Sequence, residues 1–207
     1  MTRYYKKIKS LLTNFWNYIW KGDSLGSWLT FIIVTFLFIK FVFFPTISFI
    51  MGSKLPIVIV ESCSMYHTYE FEEWWKKNGK WYEERNISKQ SFLNFPFVNG
   101  FSKGDIFFVV GVKKEKIRVG DIIIFYSGSK NRPIIHRVVD LDPIQTKGDN
   151  NRIQFSYYNN LENIDETNIR GEQIIGRVLP FKIPFLGWVK LIFYEPFRSK
   201  NERGFCF

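Results

Sequence analysis

The sequence predicts a mainly β protein, an antiparallel β domain carried behind one N-terminal transmembrane helix. Three observations predict it. Leu25 to Phe44 is a run of twenty residues with Lys40 as its one charge. After it come short β-branched and aromatic runs bounded by glycine and proline turns, with no long helical period separating them, which favours antiparallel pairing. Residues 66–102 break that rhythm with a stretch rich in tryptophan and phenylalanine.

A length of 207 residues accommodates one domain and an anchor, and a hydrophobic share of 46% with 23 phenylalanines supplies a substantial core. The formal charge of +10 admits nucleic acid or anionic lipid headgroups as partners. The basic residues are scattered and an apolar span is present, so the lipid bilayer is the expected partner and nucleic acid is not. Two cysteines, Cys63 and Cys206, are too few for a disulfide framework, and the sequence leaves their pairing open.

Residues 1–24 hold Arg3, Lys6, Lys7, Lys9 and Lys21 among Tyr4, Ile8, Leu11, Leu12, Phe15, Trp16, Ile19 and Trp20. Apolar residues at intervals of three and four specify an amphipathic helix. Its basic side and its tryptophans suit the membrane interface, with packing on protein as the alternative.

Residues 25–51 read as a transmembrane signal anchor. Twenty helical residues at ~1.5 Å each span about 30 Å, the thickness of a hydrocarbon core. Lys40 lies near one end, where its stem lets the ammonium reach the headgroups. Pro45 stands where a helix can end, and Thr46 to Met51 either extend the span or lie at the outer interface. The run exceeds the ~7–15 apolar residues of a cleavable signal peptide and no clear small-x-small site follows, so the anchor is expected to be retained. The basic residues before it place the N-terminus in the cytoplasm and residues 52–207 outside, in a single-pass protein of the cell membrane.

In the β domain, Phe107 to Val110, Ile122 to Phe125 and Ile134 to Val139 are the strand candidates. Lys103-Gly104-Asp105, Val119-Gly120-Asp121, Ser127-Gly128-Ser129 and Asp142-Pro143 are the turns between them, and Asp105 and Asp121 are read as closing turns. Within residues 66–102, Glu70 to Lys77 and Trp81-Tyr82 suit either a dip into the membrane interface or a helical cap with its own small core. Asn86-Ile87-Ser88 fits a glycosylation sequon on an outer face.

The chemistry concentrates after a β-prone run, Ile57 to Val60, in Glu61-Ser62-Cys63-Ser64-Met65-Tyr66-His67. Residues two apart in extended chain point to one side, so Ser62 and Ser64 aim their hydroxyls into one site. A serine needs a base to become a nucleophile. The chain has two histidines, His67 and His136, and an imidazole largely neutral at pH 7 can take the serine proton. Asp149 follows in Lys147-Gly148-Asp149-Asn150. No Cys/His spacing suits a metal and no glycine loop suits a nucleotide, so neither metal nor cofactor is expected.

These segments, in this order, resemble type I signal peptidases, and most of all the branch with a histidine base found in archaea and the eukaryotic endoplasmic reticulum. The Ser-x-Ser-Met box corresponds to Ser62–Met65, the Gly-Asp-hydrophobic box to Gly120–Phe125, the His-Arg-Val box to His136–Val138 and the Lys-Gly-Asp-Asn box to Lys147–Asn150. The resemblance implies a β catalytic domain and serine endopeptidase activity on signal-peptide-bearing preproteins, with a secretion translocon as a further partner. It implies Ser64 as nucleophile, His136 as general base, and Ser62 with the backbone N–H of Ser64 as the oxyanion hole. For the acid that orients His136 it suggests Asp149. The branch's second aspartate, six residues on, is Phe155 here, which leaves Glu162, Asp165 and Glu166 of the shifted loop as rivals. His67 stands where the family has proline and is expected at a turn or rim. Cys63 replaces a glycine and is expected to pack, and residues 66–102 stand as an insertion between two boxes that lie closer together in the family. The missing second aspartate also supports an alternative reading, a catalytically silent membrane-anchored relative serving as a binding subunit.

Overall fold

The computed structural model describes residues 2–127, 132–160 and 163–206, so Gly128 and Ser129 of the expected turn, and Glu162, lie outside the described residues. The chain divides into two units, Met1–Ile50 and Met51–Phe207.

In the first unit, α1 (Thr2–Lys21) is followed by α2 (Leu25–Phe38), a π-helical turn (Ile39–Phe43) and α3 (Phe44–Met51). The last three run on as a single helix of 27 residues, Leu25–Met51, long and apolar enough to cross a membrane. Pro45 does not end it. Proline removes one N–H and crowds the carbonyl four residues back, here that of Phe41, and the wider π turn containing Phe41 accommodates both. The Ser24 side chain caps α2 by accepting from Ser27 N at 3.2 Å. Ser27 Oγ in turn donates to Tyr18 O, and Trp20 meets Phe31 edge-on with ring centres 5.5 Å apart. Leu11 and Trp16 of α1, like Ile32 and Phe36 of α2, are exposed.

The second unit is built on one six-stranded sheet: β1 (Ile57–Ile59), β2 (Ile106–Val110), β3 (Ile122–Ser127), β4 (Arg132–Leu141), β5 (Ile144–Lys147) and β6 (Ile174–Ile183). The spatial order is β1-β2-β6-β3-β4-β5 and every pairing is antiparallel. β3 explains why its sequence is an unbroken apolar run. Ile122 and Ile124 join one core with Val60, Met65, Phe101 and Phe107, while Ile123 and Phe125 join a second with Ile117, Val138 and Ile169. Side chains alternate along a strand, so a sheet covered on both faces needs apolar residues at successive positions. Asp105 and Asp121 close turns, accepting from Ser102 N and Arg118 N at 2.9 Å each.

Residues 66–102 form a cap with its own core. Helices α4 (Phe71–Glu83) and α5 (Lys89–Leu93) bury Phe71, Trp74, Trp75, Tyr82 and Phe92 against Val139 of β4. Burial of both Trp74 and Trp75 selects the packed cap over a dip into lipid for these two side chains. A last helix, α6 (Trp188–Tyr194), follows β6. The expectation of a mainly β chain is corrected here. Helices hold 41% of residues and strands 20%, because the N-terminal helices, the cap and α6 add helical residues to a sheet of short strands.

Candidate active site

β1 ends at Ile59, and the chain then turns through the two serines before Tyr66 forms an isolated bridge with Gly100. Backbone hydrogen bonds are among the contacts that hold this loop. Val60 N donates to Asp105 O at 2.9 Å, Phe101 N to Met65 O at 3.0 Å, and Asn150 N to Ser64 O at 2.8 Å. Ser62 Oγ and Ser64 Oγ stand 3.2 Å apart, on one side of the loop.

His136 comes from the middle of β4. Its Nε2 lies 2.9 Å from Ser64 Oγ and its Nδ1 lies 2.5 Å from Glu166 Oε1. A carboxylate only accepts, so Nδ1 carries the proton and Nε2 is left with its lone pair toward the serine hydroxyl. Glu166 is itself fixed: Phe155 N donates to its Oε2 at 2.9 Å and Thr146 Oγ1 to its Oε1 at 3.3 Å. Both the imidazole and the carboxylate are buried. Gly148 gives the serine and histidine room to meet. A Cβ there would stand 2.8 Å from His136 Nε2 and 2.9 Å from Ser64 O, closer than such contacts occur.

Asp149 is not beside His136, contrary to the sequence expectation. Arg137 Nε and a terminal nitrogen grip its two oxygens at 3.0 and 2.8 Å, Tyr82 OH donates at 2.9 Å, and His67 Nε2 lies at 3.1 Å. Burial by itself would raise this carboxyl, but the Arg137 guanidinium and the His67 contact hold it well below the usual carboxylate range. Strand alternation gives the reason. His136 pairs with Ile123 and Arg137 with Ile122, so the two neighbours face opposite sides of the sheet. Asp149 serves the Arg137 side, under the cap, and Glu166 serves the His136 side.

The other candidates fall out as follows. Asp165 accepts from Thr167 N at 2.9 Å and Thr167 Oγ1 at 2.6 Å, closing its own turn. His67 is buried, not on a rim: its ring stacks on Trp74 at 3.8 Å with the planes 6° apart. Cys63 does more than pack, since it forms a disulfide with Cys206. Lys147 is buried against the rings of Trp81 and Tyr82 and donates to Gly148 O and Asn151 O at 3.0 and 2.7 Å. Burial, aided by Arg85, outweighs the attraction of Asp149 and Glu166 and lowers its ammonium to about 8. The arrangement can activate a hydroxyl and return its proton to a leaving group.

The chain is similar to signal peptidase catalytic subunits. It is 28% identical to the human signal peptidase complex catalytic subunit SEC11C over 99 residues, 44% of this chain and 50% of that protein. It is 32% identical to the SEC11 subunit of Lodderomyces elongisporus over 102 residues, 46% of this chain and 58% of the relative. The subunit of Candida tropicalis is 30% identical over the same length. The chain thus spans about half the length of the curated relatives it matches. No family model matches it.

Proposed function

We propose that this protein is a membrane-anchored serine endopeptidase of the signal peptidase I type, of the histidine-base branch, that removes N-terminal signal peptides from preproteins. The observation that carries the reading is the succession Ser64 Oγ, His136 Nε2 at 2.9 Å, and Glu166 Oε1 on Nδ1 at 2.5 Å. The named activity of the SEC11 relatives supports the same substrate class.

In this reading, His136 Nε2 takes the Ser64 proton as Oγ attacks the scissile carbonyl, and the Glu166 carboxylate stabilises the imidazolium that forms. The oxyanion is held by the Ser64 backbone N–H and the Ser62 hydroxyl. The imidazolium then protonates the departing amine, and water, activated by the same imidazole, releases the acyl group. The substrate lies extended along β1, an edge strand that leads into the serine loop. The Leu25–Met51 helix anchors the chain in the cell membrane with the N-terminus cytoplasmic. The Cys63–Cys206 disulfide supports an oxidising, extracytoplasmic compartment for the catalytic unit.

The silent-subunit alternative drew on Phe155 occupying the place of the family's second aspartate. Here Phe155 instead offers its N–H to Glu166, the acid on His136. Cleavage of a preprotein by the detergent-solubilised chain, compared with Ser64→Ala, separates the readings. Activity in the wild type and none in the variant supports the peptidase, whereas equal cleavage in both removes it.

A further inference from the structure

The disulfide joins residues 143 apart in sequence, and its Cys63 half sits between the two serines. Its Cys206 half belongs to residues 188–206, and that segment grips the serine loop a second time. The Arg198 guanidinium donates to Glu61 O at 2.7 Å and pairs with Glu61 Oε2 at 2.8 Å. Lys190 Nζ reaches Glu61 Oε1 at 3.1 Å. Residues 61 and 63, on either side of Ser62, are therefore both held from one segment. Asn150 holds the loop from elsewhere, its N donating to Ser64 O at 2.8 Å and its Nδ2 to Cys63 O at 3.0 Å.

The segment has a firm foundation. Lys103 Nζ is buried and binds Glu195 Oε1 at 2.7 Å and Glu202 O at 2.6 Å. Trp188 Nε1 donates to Lys103 O at 3.1 Å, and the Trp188 ring meets Phe205 at 4.4 Å. Gly204 N donates to Glu195 Oε2 at 2.7 Å. The serine loop, by contrast, lies between the end of β1 and the bridge at Tyr66, without ladder bonds of its own. Glu61 is about half exposed, and ion pairs to such a group contribute little individually. The covalent bond is the one member of the set that water and salt do not weaken.

We propose that residues 188–206 act as a positioning clamp for Ser64, with the Cys63–Cys206 disulfide as its redox-sensitive catch. The inference rests on the role given to Ser64 above and deepens it by naming Cys63 and Cys206 as positioning residues. A dithiol opens the catch. It supplies two electrons and two protons, the S–S bond breaks, both cysteines become thiols, and the dithiol closes to its own disulfide. The loop then keeps its Asn150 and Phe101 contacts but loses its fixed distance to the clamp. A displacement of about 1 Å at a nucleophile costs on the order of 100-fold in rate.

The test uses the full chain in detergent. Wild type, Cys206→Ser and Ser64→Ala are assayed for preprotein cleavage before and after dithiothreitol, with complete reduction verified by alkylation and mass. The clamp predicts a fall in kcat of about tenfold or more on reduction, with KM little changed and recovery on reoxidation by oxidised glutathione. Cys206→Ser should start at the low kcat and ignore the reductant. Amide exchange gives a readout independent of activity: after reduction, residues 61–66 should exchange faster while β3 and β4 keep their protection. Unchanged kcat in fully reduced enzyme overturns the clamp and leaves the peptidase reading standing. If wild type shows no cleavage, the peptidase reading falls and exchange alone decides the clamp. Protection unaltered at 61–66, or lost throughout the sheet, overturns it.

Discussion

Glu166 Oε1 and His136 Nδ1 are 2.5 Å apart, although 30 residues separate them and the nearer acid in sequence, Asp149, binds elsewhere. That pairing divides two carboxylates into different tasks, and substitution should expose the division. Glu166→Gln should lower kcat by about 10³–10⁴-fold while leaving the protein folded, because the amide no longer fixes the tautomer or meets the imidazolium with charge. Retention of most of the activity by purified Glu166→Gln would overturn the assignment.

Asp149→Asn should act on stability first. It leaves the Arg137 guanidinium buried with half its partner gone, a change that costs about 3–5 kcal/mol. Denaturant unfolding measures it. The lowered carboxyl gives a second signature. Its contribution is present above the ordinary value of 3.8 and is lost as the pH falls toward the lowered one. Wild type should therefore lose stability in acid more steeply than Asp149→Asn, and parallel acid limbs would contradict the geometry.

Ser62→Ala tests the oxyanion hole. Its hydroxyl is exposed and lies 3.2 Å from that of Ser64, so the fold should not notice its removal. The reaction should, by about 100- to 1000-fold in kcat with KM close to wild type. A loss confined to KM would move Ser62 from the transition state to substrate binding.

Lys147 predicts an alkaline effect. Its proton leaves at about 8 in the folded chain, whereas the unfolded chain holds it to the ordinary 10.5. Between those values the unfolded state binds more protons, so folding stability should rise with pH. Above 10 the trend should reverse, because buried Tyr82 keeps a phenol proton that the unfolded chain releases. Urea titrations at pH 7.5, 8.5 and 9.5 should show the rise in wild type and not in Lys147→Met.

Trp74→Ala should cost about 3–5 kcal/mol as a core deletion, since Trp74 is buried and floors the His67 ring. Thermal unfolding of the full chain checks it. A variant as stable as wild type would mean that the cap is not part of the folded core.

Much of the site was legible because its parts are short and local. Ser62, Ser64 and His136 follow from motifs whose geometry is set within a few residues, and the bounding turns located most of the strands. The acid was harder. Asp149 sits in the right motif, but which side of the sheet a residue serves depends on pairing partners that a linear reading does not contain. One clue was present: His136 and Arg137 are adjacent in a strand candidate and so face opposite sides of the sheet, each needing its own carboxylate. The cap was visible as aromatic composition, but the choice between lipid and protein as its surroundings rests on Val139 and Arg137, which meet it only in the folded chain. Pro45 left the end of the helix open in the sequence, and a π turn absorbs what an α turn does not.

The acid that braces the imidazole arrives on an excursion between β5 and β6, not from the sheet. Such a donor is specified by where it lands, and the number of residues spent reaching that point is free to drift. A ruler laid along the sequence therefore misses it, and relatives of this chain are better sought by asking which oxygen touches the ring than by counting from the glycine.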